Sequence, residues 1–327
     1  MNSNKRVILI TGGAGFIGSN FIHYFLKKHK GCRVVNLDSL TYCGNLENLK
    51  DIENNPRYKF IKGDINNQVL IDKVFRKEKP NFIVNFAAES YVDRSISGPL
   101  IFTKTNILGT HLLLEAARKY KVKKFLQIST DEVYGSIIKN KFKEIDPLNP
   151  SSSYSASKAS VDLLALSYFK TFNLPVLITR SSNNFGPYQF PEKIIPLFIT
   201  NLLKNKRVPL YGTGKNVRDW IYVLDNCAGI DFVLHQGKIG EIYNIGGGNE
   251  LSNLKITKII LKELGKDESM IKYVKDRPGH DFRYAVETKK IKNLGWKPKY
   301  KFKKALFQTI NWYKDNFSWW KKLKQNI

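Results

Sequence analysis

The chain has 327 residues, 42% of them hydrophobic, enough to bury a large core and build two domains. Its formal net charge of +26 comes from 54 Lys plus Arg against 28 Asp plus Glu, spread along the chain as lysine rather than gathered into an arm, so no nucleic-acid partner is expected. Three scattered cysteines, Cys32, Cys43 and Cys227, argue against a disulfide framework; with no signal peptide and no membrane-spanning run, the expected setting is the reducing cytoplasm, away from membranes.

Strand and helix patterns alternate from Lys5 to about Arg180, which predicts a Rossmann-type α/β fold with a doubly wound parallel sheet. The first strand, Arg6-Val-Ile-Leu-Ile10, runs into Thr11-Gly12-Gly13-Ala14-Gly15-Phe16-Ile17-Gly18 and an amphipathic helical continuation over Asn20 to Lys28. In such a turn Gly12 permits the tight bend, Gly15 lets backbone approach a pyrophosphate and Gly18 lets helix and strand pack closely. A second strand, Arg33 to Leu37, ends at Asp38, about 20 residues past the last glycine, where a carboxylate binds ribose hydroxyls and favours NAD over NADP. Asp64, after Tyr58 to Ile61, and Phe86-Ala87-Ala88-Glu89, after Phe82 to Asn85, stand at the carboxyl ends of the next strands, where open parallel sheets bind ligands. Amphipathic helices are predicted over Thr105 to Tyr120 and Tyr154 to Phe172.

The strand Lys124 to Ile128 leads into Ser129-Thr130-Asp131-Glu132-Val133-Tyr134-Gly135. Two adjacent carboxylates disfavour double ionisation, which keeps one protonated as an acid while the other serves as a base; a solvated loop or an acidic helix cap would use the same residues. Tyr154 and Lys158 stand at i and i+4, on one face if the segment is helical. Bringing a phenol from a pKa of about 10 to neutrality takes about 4 kcal/mol, which one ammonium at about 4 Å supplies at an effective dielectric of about 20. The pattern then changes: Asn183 to Gln189 is loop-like, Lys193 to Lys204 and Asn253 to Gly265 are helical, and Gly240 to Gly248 looks like a strand returning to the first sheet. The expected division is a dinucleotide-binding unit over 1–180 with a returning segment near 220–248, and a smaller, discontinuous substrate unit over 181–219 and 249–327. No metal is expected, because His and Cys nowhere cluster at ligand spacing.

The glycine turn, Asp38, the Thr130-Asp131-Glu132 triplet and Tyr154/Lys158 together resemble the extended short-chain dehydrogenase/reductases, and specifically the dTDP-glucose 4,6-dehydratase family. The resemblance spans nearly the whole chain. Asp38-Ser-Leu-Thr-Tyr42, Val92-Asp-Arg-Ser95, Ser182 to Tyr188, Pro191-Glu-Lys193, Asn216 to Trp220, Tyr243 to Gly247 and Asp276-Arg-Pro-Gly-His280 also match. Epimerases of the superfamily share the glycine turn and the dyad but lack the Asp-Glu pair. Tyr91 departs from the family's histidine, and Cys43 from its small residue; Cys43 is expected to touch nothing catalytic.

The resemblance implies NAD as cofactor. Besides the glycines, Asp38 and Asp64, it implies contacts to NAD from Phe16, Ile17, Ser39, Leu40, Thr41, Ile65, Phe86, Ala87, Ala88, Glu89, Ser90, Thr105, Tyr154, Lys158 and Asn184. For a nucleotide-sugar substrate it implies Ser90, Thr130, Asn183, Lys193, Ile194, Pro209, Tyr211, Arg218, Asn253, Arg277 and His280. The implied reaction takes the 4-hydroxyl proton of dTDP-glucose on Tyr154, moves hydride from C4 to the cofactor, eliminates water across C5 and C6 with Glu132 as base and Asp131 as acid, and returns hydride to C6. Thr130 positions O4 in that scheme, and the enzyme is a homodimer joined through a four-helix bundle. UDP-glucose as substrate, a UDP-sugar epimerase or decarboxylase, and a binding protein on the same fold are the competing readings.

Overall fold

The computed structural model describes residues 6–326, so Lys5, where the alternating pattern was expected to begin, lies outside them. Seven strands form the main sheet: β1 (Arg6–Thr11), β2 (Cys32–Asp38), β3 (Tyr58–Lys62), β4 (Phe82–Asn85), β5 (Lys124–Thr130), β6 (Val176–Ser181) and Ile242–Ile245. The last is β10, because β7 (Asn183–Phe185), β8 (Val208–Tyr211) and β9 (Val217–Tyr222) precede it. The order β10-β6-β5-β4-β1-β2-β3 is parallel throughout, and its direction reverses between β1 and β4. Such a switch point opens a crevice at the strand carboxyl ends. The core strands are apolar on both faces, as a sheet covered by helices on both sides requires: Ile8, Leu9, Ile10, Val34, Val35, Ile83 and Val84 are each no more than 1% exposed.

The returning strand stands where the pattern placed it, with Ile242 opposite Ile178 and Ile245 opposite Ser181. Two expectations change. Asn183 to Gln189 is not all loop: β7 pairs in parallel with β9, which pairs antiparallel with β11 (Glu250–Ser252). Nor is Thr105 to Tyr120 a uniform α-helix, because a widened π-type turn over Thr103–Gly109 precedes the α-helix Thr110–Lys119. The wide turn serves the crevice. Buried Asn106 accepts from the Glu89 amide (2.8 Å) and donates to the Glu89 carbonyl (3.1 Å) and the Ser157 hydroxyl (2.8 Å), tying the loop after β4 to the helix Ser153–Phe172. Single-turn widenings of this kind recur at functional sites.

The pairing of distant segments also gathers His29, Asp231 and His235, a cluster that linear spacing did not reveal. His29 Nε2 lies 2.7 Å from Asp231 Oδ1, and Lys28 Nζ donates to Oδ2 at 2.7 Å. A lysine ammonium thus already neutralises the buried carboxylate. Burial alone would push the Asp231 carboxyl up; hydrogen bonds from His235 and Lys28 outweigh it and hold it down at about 2.

Candidate active site

Two adjoining cavities open at the strand carboxyl ends, with Glu192 and Lys193 in the wall of both. The first, about 270 Å³, is lined by the residues assigned to the cofactor, Leu40 and Asn184 excepted. Gly12 has φ +67°, and a Cβ there would lie 2.6 Å from the Ala87 backbone nitrogen; a Cβ on Gly18 would lie 2.4 Å from the Gly12 carbonyl oxygen. Only glycine permits that turn and that helix-to-strand approach. Asp38, 7% exposed at the end of β2, accepts from the amides of Ala14 and Leu40, each at 2.8 Å, which fixes its carboxylate in the cavity wall. Leu40 therefore acts through its backbone, at φ +56°, and not as a lining side chain. Asn184 lines neither cavity; its amide donates to the Ser182 carbonyl at 2.9 Å. Cys43 lines the cofactor cavity, with its thiol 3.9 Å from Glu192 Oε1.

Thr130 closes β5, and its hydroxyl accepts from the Glu132 amide at 3.2 Å, capping the short 3₁₀ turn Asp131–Tyr134. The cap turns the two carboxylates apart. Asp131 is 2% exposed, and its Oδ2 is buried with no hydrogen-bond partner, while Glu132 lines the second cavity. Burial pushes the Asp131 carboxyl well above the usual carboxylate range, reinforced by the charges of Glu132 and Asp219. Burial raises Glu132 as well, but Lys193, Arg218 and Arg277 oppose the shift. Of the pair, Asp131 is the one held more firmly in its protonated form, and Glu132 the one whose upward shift three cations oppose.

Tyr154 and Lys158 sit in the first turns of Ser153–Phe172, which starts with a reciprocal capping box between Ser152 and Ser155. The buried ion pair Arg180 Nε to Asp162 Oδ2, 2.8 Å, fastens the same helix to β6. Both side chains reach the cofactor cavity, but they are not paired with each other. The Lys158 ammonium donates instead to the Ile128 carbonyl of β5, and burial lowers its pKa to about 8. Burial and the charge of Glu132 push the Tyr154 phenol up, with the Thr130 hydroxyl opposing. The i, i+4 spacing gives Tyr154 and Lys158 a shared face on the cofactor cavity, and the carbonyl at the end of β5 takes the ammonium's hydrogen bond.

The second cavity, about 170 Å³, is lined by Asn183, Lys193, Ile194, Pro209, Tyr211, Arg218, Asn253, Arg277 and His280, so the residues assigned to the substrate converge there, except Ser90 in the cofactor cavity and Thr130, which lines neither. Lys193 Nζ donates to the Ser90 carbonyl at 2.9 Å and stands over the Tyr91 ring at 4.9 Å. Sequence reasoning missed Glu192, Tyr91, Asp93 and Tyr284, all in this wall. Glu192 had a signal, since it adjoins Lys193 in the matching Pro191-Glu-Lys193 segment. Asp93 likewise fell inside the matching Val92 to Ser95 segment, and Tyr284 carried no local mark.

The family model described as GDP-mannose 4,6 dehydratase matches residues 9–309. The chain is 52% identical to the low-salt glycan biosynthesis protein Agl12 of Haloferax volcanii, over 94% of this chain and 98% of that protein. It is similar to the crystal structure of dTDP-glucose 4,6-dehydratase from Bacillus anthracis in complex with NAD, with 51% identity, a TM-score of 0.92, and 97% and 99% of the two chains covered. The dTDP-glucose 4,6-dehydratase of Streptomyces venezuelae, also with NAD bound, gives a TM-score of 0.95 at 48% identity, covering 97% of this chain and 99% of that one. These matches show the family: the chain belongs to the nucleotide-sugar 4,6-dehydratase family described by the GDP-mannose 4,6 dehydratase model, on the branch of the dTDP-glucose 4,6-dehydratases.

Proposed function

We propose that this chain is an NAD-dependent hydro-lyase that converts dTDP-glucose to dTDP-4-keto-6-deoxyglucose and water. The observation that carries the reading is the unequal environment of Asp131, buried and lining neither cavity, and Glu132, in the wall of the second. An epimerase needs no such pair, because it breaks no C–O bond. Bound NAD supplies a hydride acceptor at C4 and a donor at C6. Tyr154, as the phenolate that the Lys158 ammonium and the positive charge of bound oxidised nicotinamide would favour, takes the 4-hydroxyl proton, with the Thr130 hydroxyl orienting O4 beside it. Once C4 is a ketone the C5 proton is acidic. Glu132, whose upward shift by burial is opposed by Lys193, Arg218 and Arg277, removes it as the carboxylate, and Asp131, kept protonated by burial, gives its proton to the leaving C6 hydroxyl; C5 takes a proton back as hydride returns to C6. Lys193 and Arg277 hold the diphosphate, and burying the reacting sugar between the cavities keeps bulk water from the intermediate.

The test is incubation with dTDP-glucose carrying deuterium at C4. Loss of one water with the label recovered at C6 of the product is the expected result; UDP-glucose turned over in preference to dTDP-glucose would replace the substrate, and a C4 epimer with no loss of water would overturn the reaction. A cytoplasmic setting suits the three free cysteines, and among the described residues no helix is long and apolar enough to cross a membrane. The outer faces of residues 100–119 and 153–172 carry Leu100, Leu108, Leu163 and Phe172, which are 81%, 48%, 60% and 48% exposed, and a four-helix bundle between two copies would cover them. Sedimentation at micromolar concentration is expected to give twice the chain mass; a monomer would rule the dimer out.

A further inference from the structure

Arg277 is held at one edge and free at the other. Its Nη1 donates to Asp93 Oδ1 at 3.0 Å, while its Nε is buried without any hydrogen-bond partner. The second oxygen of Asp93 accepts from the Tyr211 hydroxyl at 3.1 Å. One carboxylate thus fixes two residues of the nucleotide-sugar cavity, reaching from the short helix Val92–Ser97 beside the main sheet to segments 184 and 118 residues away. The side chains of Asp93 and Arg277 are 27% and 18% exposed, so the pair is sheltered but not sealed. Arg218, the neighbouring cation, is committed elsewhere, donating to the carbonyls of Val217 at 2.8 Å and Asp281 at 2.9 Å.

We propose that Asp93 is a positioning residue for the diphosphate: by engaging Nη1 it presents the opposite edge of the Arg277 guanidinium, with its unpartnered Nε, to the phosphate oxygens of the bound nucleotide sugar. An arginine that gives one edge to a carboxylate keeps another for a bidentate contact with phosphate. Asp93 carries negative charge near an anionic ligand, but Arg277 neutralises it at contact distance, so the orienting effect outweighs the repulsion. An arginine released from Asp93 would have to be ordered again at each binding event, which weakens binding without touching the reacting carbons.

The inference rests on the proposed dTDP-sugar substrate, and its test separates the two. Binding of dTDP alone is measured by calorimetry on the wild type, Asp93→Asn, Asp93→Glu, Arg277→Ala and the Asp93→Asn/Arg277→Ala double variant. Asp93→Asn is expected to weaken dTDP about tenfold and raise KM for dTDP-glucose alike, with kcat within about threefold of the wild type. In the Arg277→Ala background the same substitution should cause no further loss and should recover some affinity, because there is no guanidinium left to orient and the uncompensated carboxylate would otherwise repel the diphosphate. Asp93→Glu keeps the charge and should recover part of the affinity; it carries the comparison if the Asn variant does not fold. Wild-type affinity in Asp93→Asn, or an equal loss with and without Arg277, would overturn the role of Asp93 while leaving the substrate in place. A wild type that fails to bind dTDP would overturn both.

Discussion

Glu132→Gln is expected to oxidise the sugar and then stop. The substitution keeps the size of the side chain and its place in the cavity wall but removes the base that takes the C5 proton. Tyr154, Thr130 and the dinucleotide cavity are untouched, so the first step falls far less than the whole reaction. Losing a positioned general base costs about 10²–10⁴-fold, and overall turnover should drop by that order. Reduced-nicotinamide absorbance should then build up on the enzyme in a single turnover, where the wild type shows only a transient. The neutral amide also relieves Asp131 of one of the negative charges that raise its carboxyl. Burial, the larger cause, still keeps that proton in place, so the loss is that of the base. A variant that releases product at the wild-type rate, with no such absorbance, would remove Glu132 from the mechanism.

Tyr154→Phe strikes the step before. Its ring lies among apolar neighbours, with Phe102 edge-on at 6.3 Å, so phenylalanine keeps the packing and loses only the hydroxyl. No residue is placed to replace it: Lys158 is engaged with the Ile128 carbonyl, and Glu132 faces the second cavity. The 4-hydroxyl then keeps its proton, and both oxidation and elimination are lost, by about 10²–10⁴-fold for the missing base. Single-turnover absorbance should stay flat, and calorimetric binding of NAD to cofactor-stripped protein should match the wild type. The contrast with Glu132→Gln orders the two steps, since one variant accumulates reduced cofactor and the other never forms it. Oxidation at the normal rate in Tyr154→Phe would assign the proton to another group.

The parts of this site legible in the sequence are those written in local spacing. A strand, Gly12 to Gly18 and a carboxylate about 20 residues on define one half of a dinucleotide site, because turn, helix N-terminus and second strand are consecutive in the chain. The same holds for Asp131 and Glu132, adjacent residues after a strand. What escaped depends on segments far apart. Asp93 meets Arg277 across 184 residues and Tyr211 across 118, and His29 meets Asp231 across 202. No periodicity records such a meeting. The Tyr154–Lys158 pair shows the intermediate case. Helical spacing placed both on one face, yet the direction of a four-carbon lysine stem is set by its nearest acceptor, and that acceptor came from β5. The widened turn at Thr103–Gly109 was equally hidden, since the apolar stripe continues through it while its reason, the hydrogen bonds of Asn106 to Glu89, lies in another segment.

One site is expected to oxidise a sugar at C4 and then to use the Asp131–Glu132 pair to eliminate across C5 and C6. Solvent exchange at C5 tests it most directly. In deuterated water the wild type should give 4-keto-6-deoxy product bearing deuterium at C5, and Glu132→Gln should incorporate it only at its reduced rate, with unlabelled C5 in the substrate that it has oxidised and reduced again. A Glu132→Gln enzyme that exchanges C5 as fast as the wild type would contradict the account.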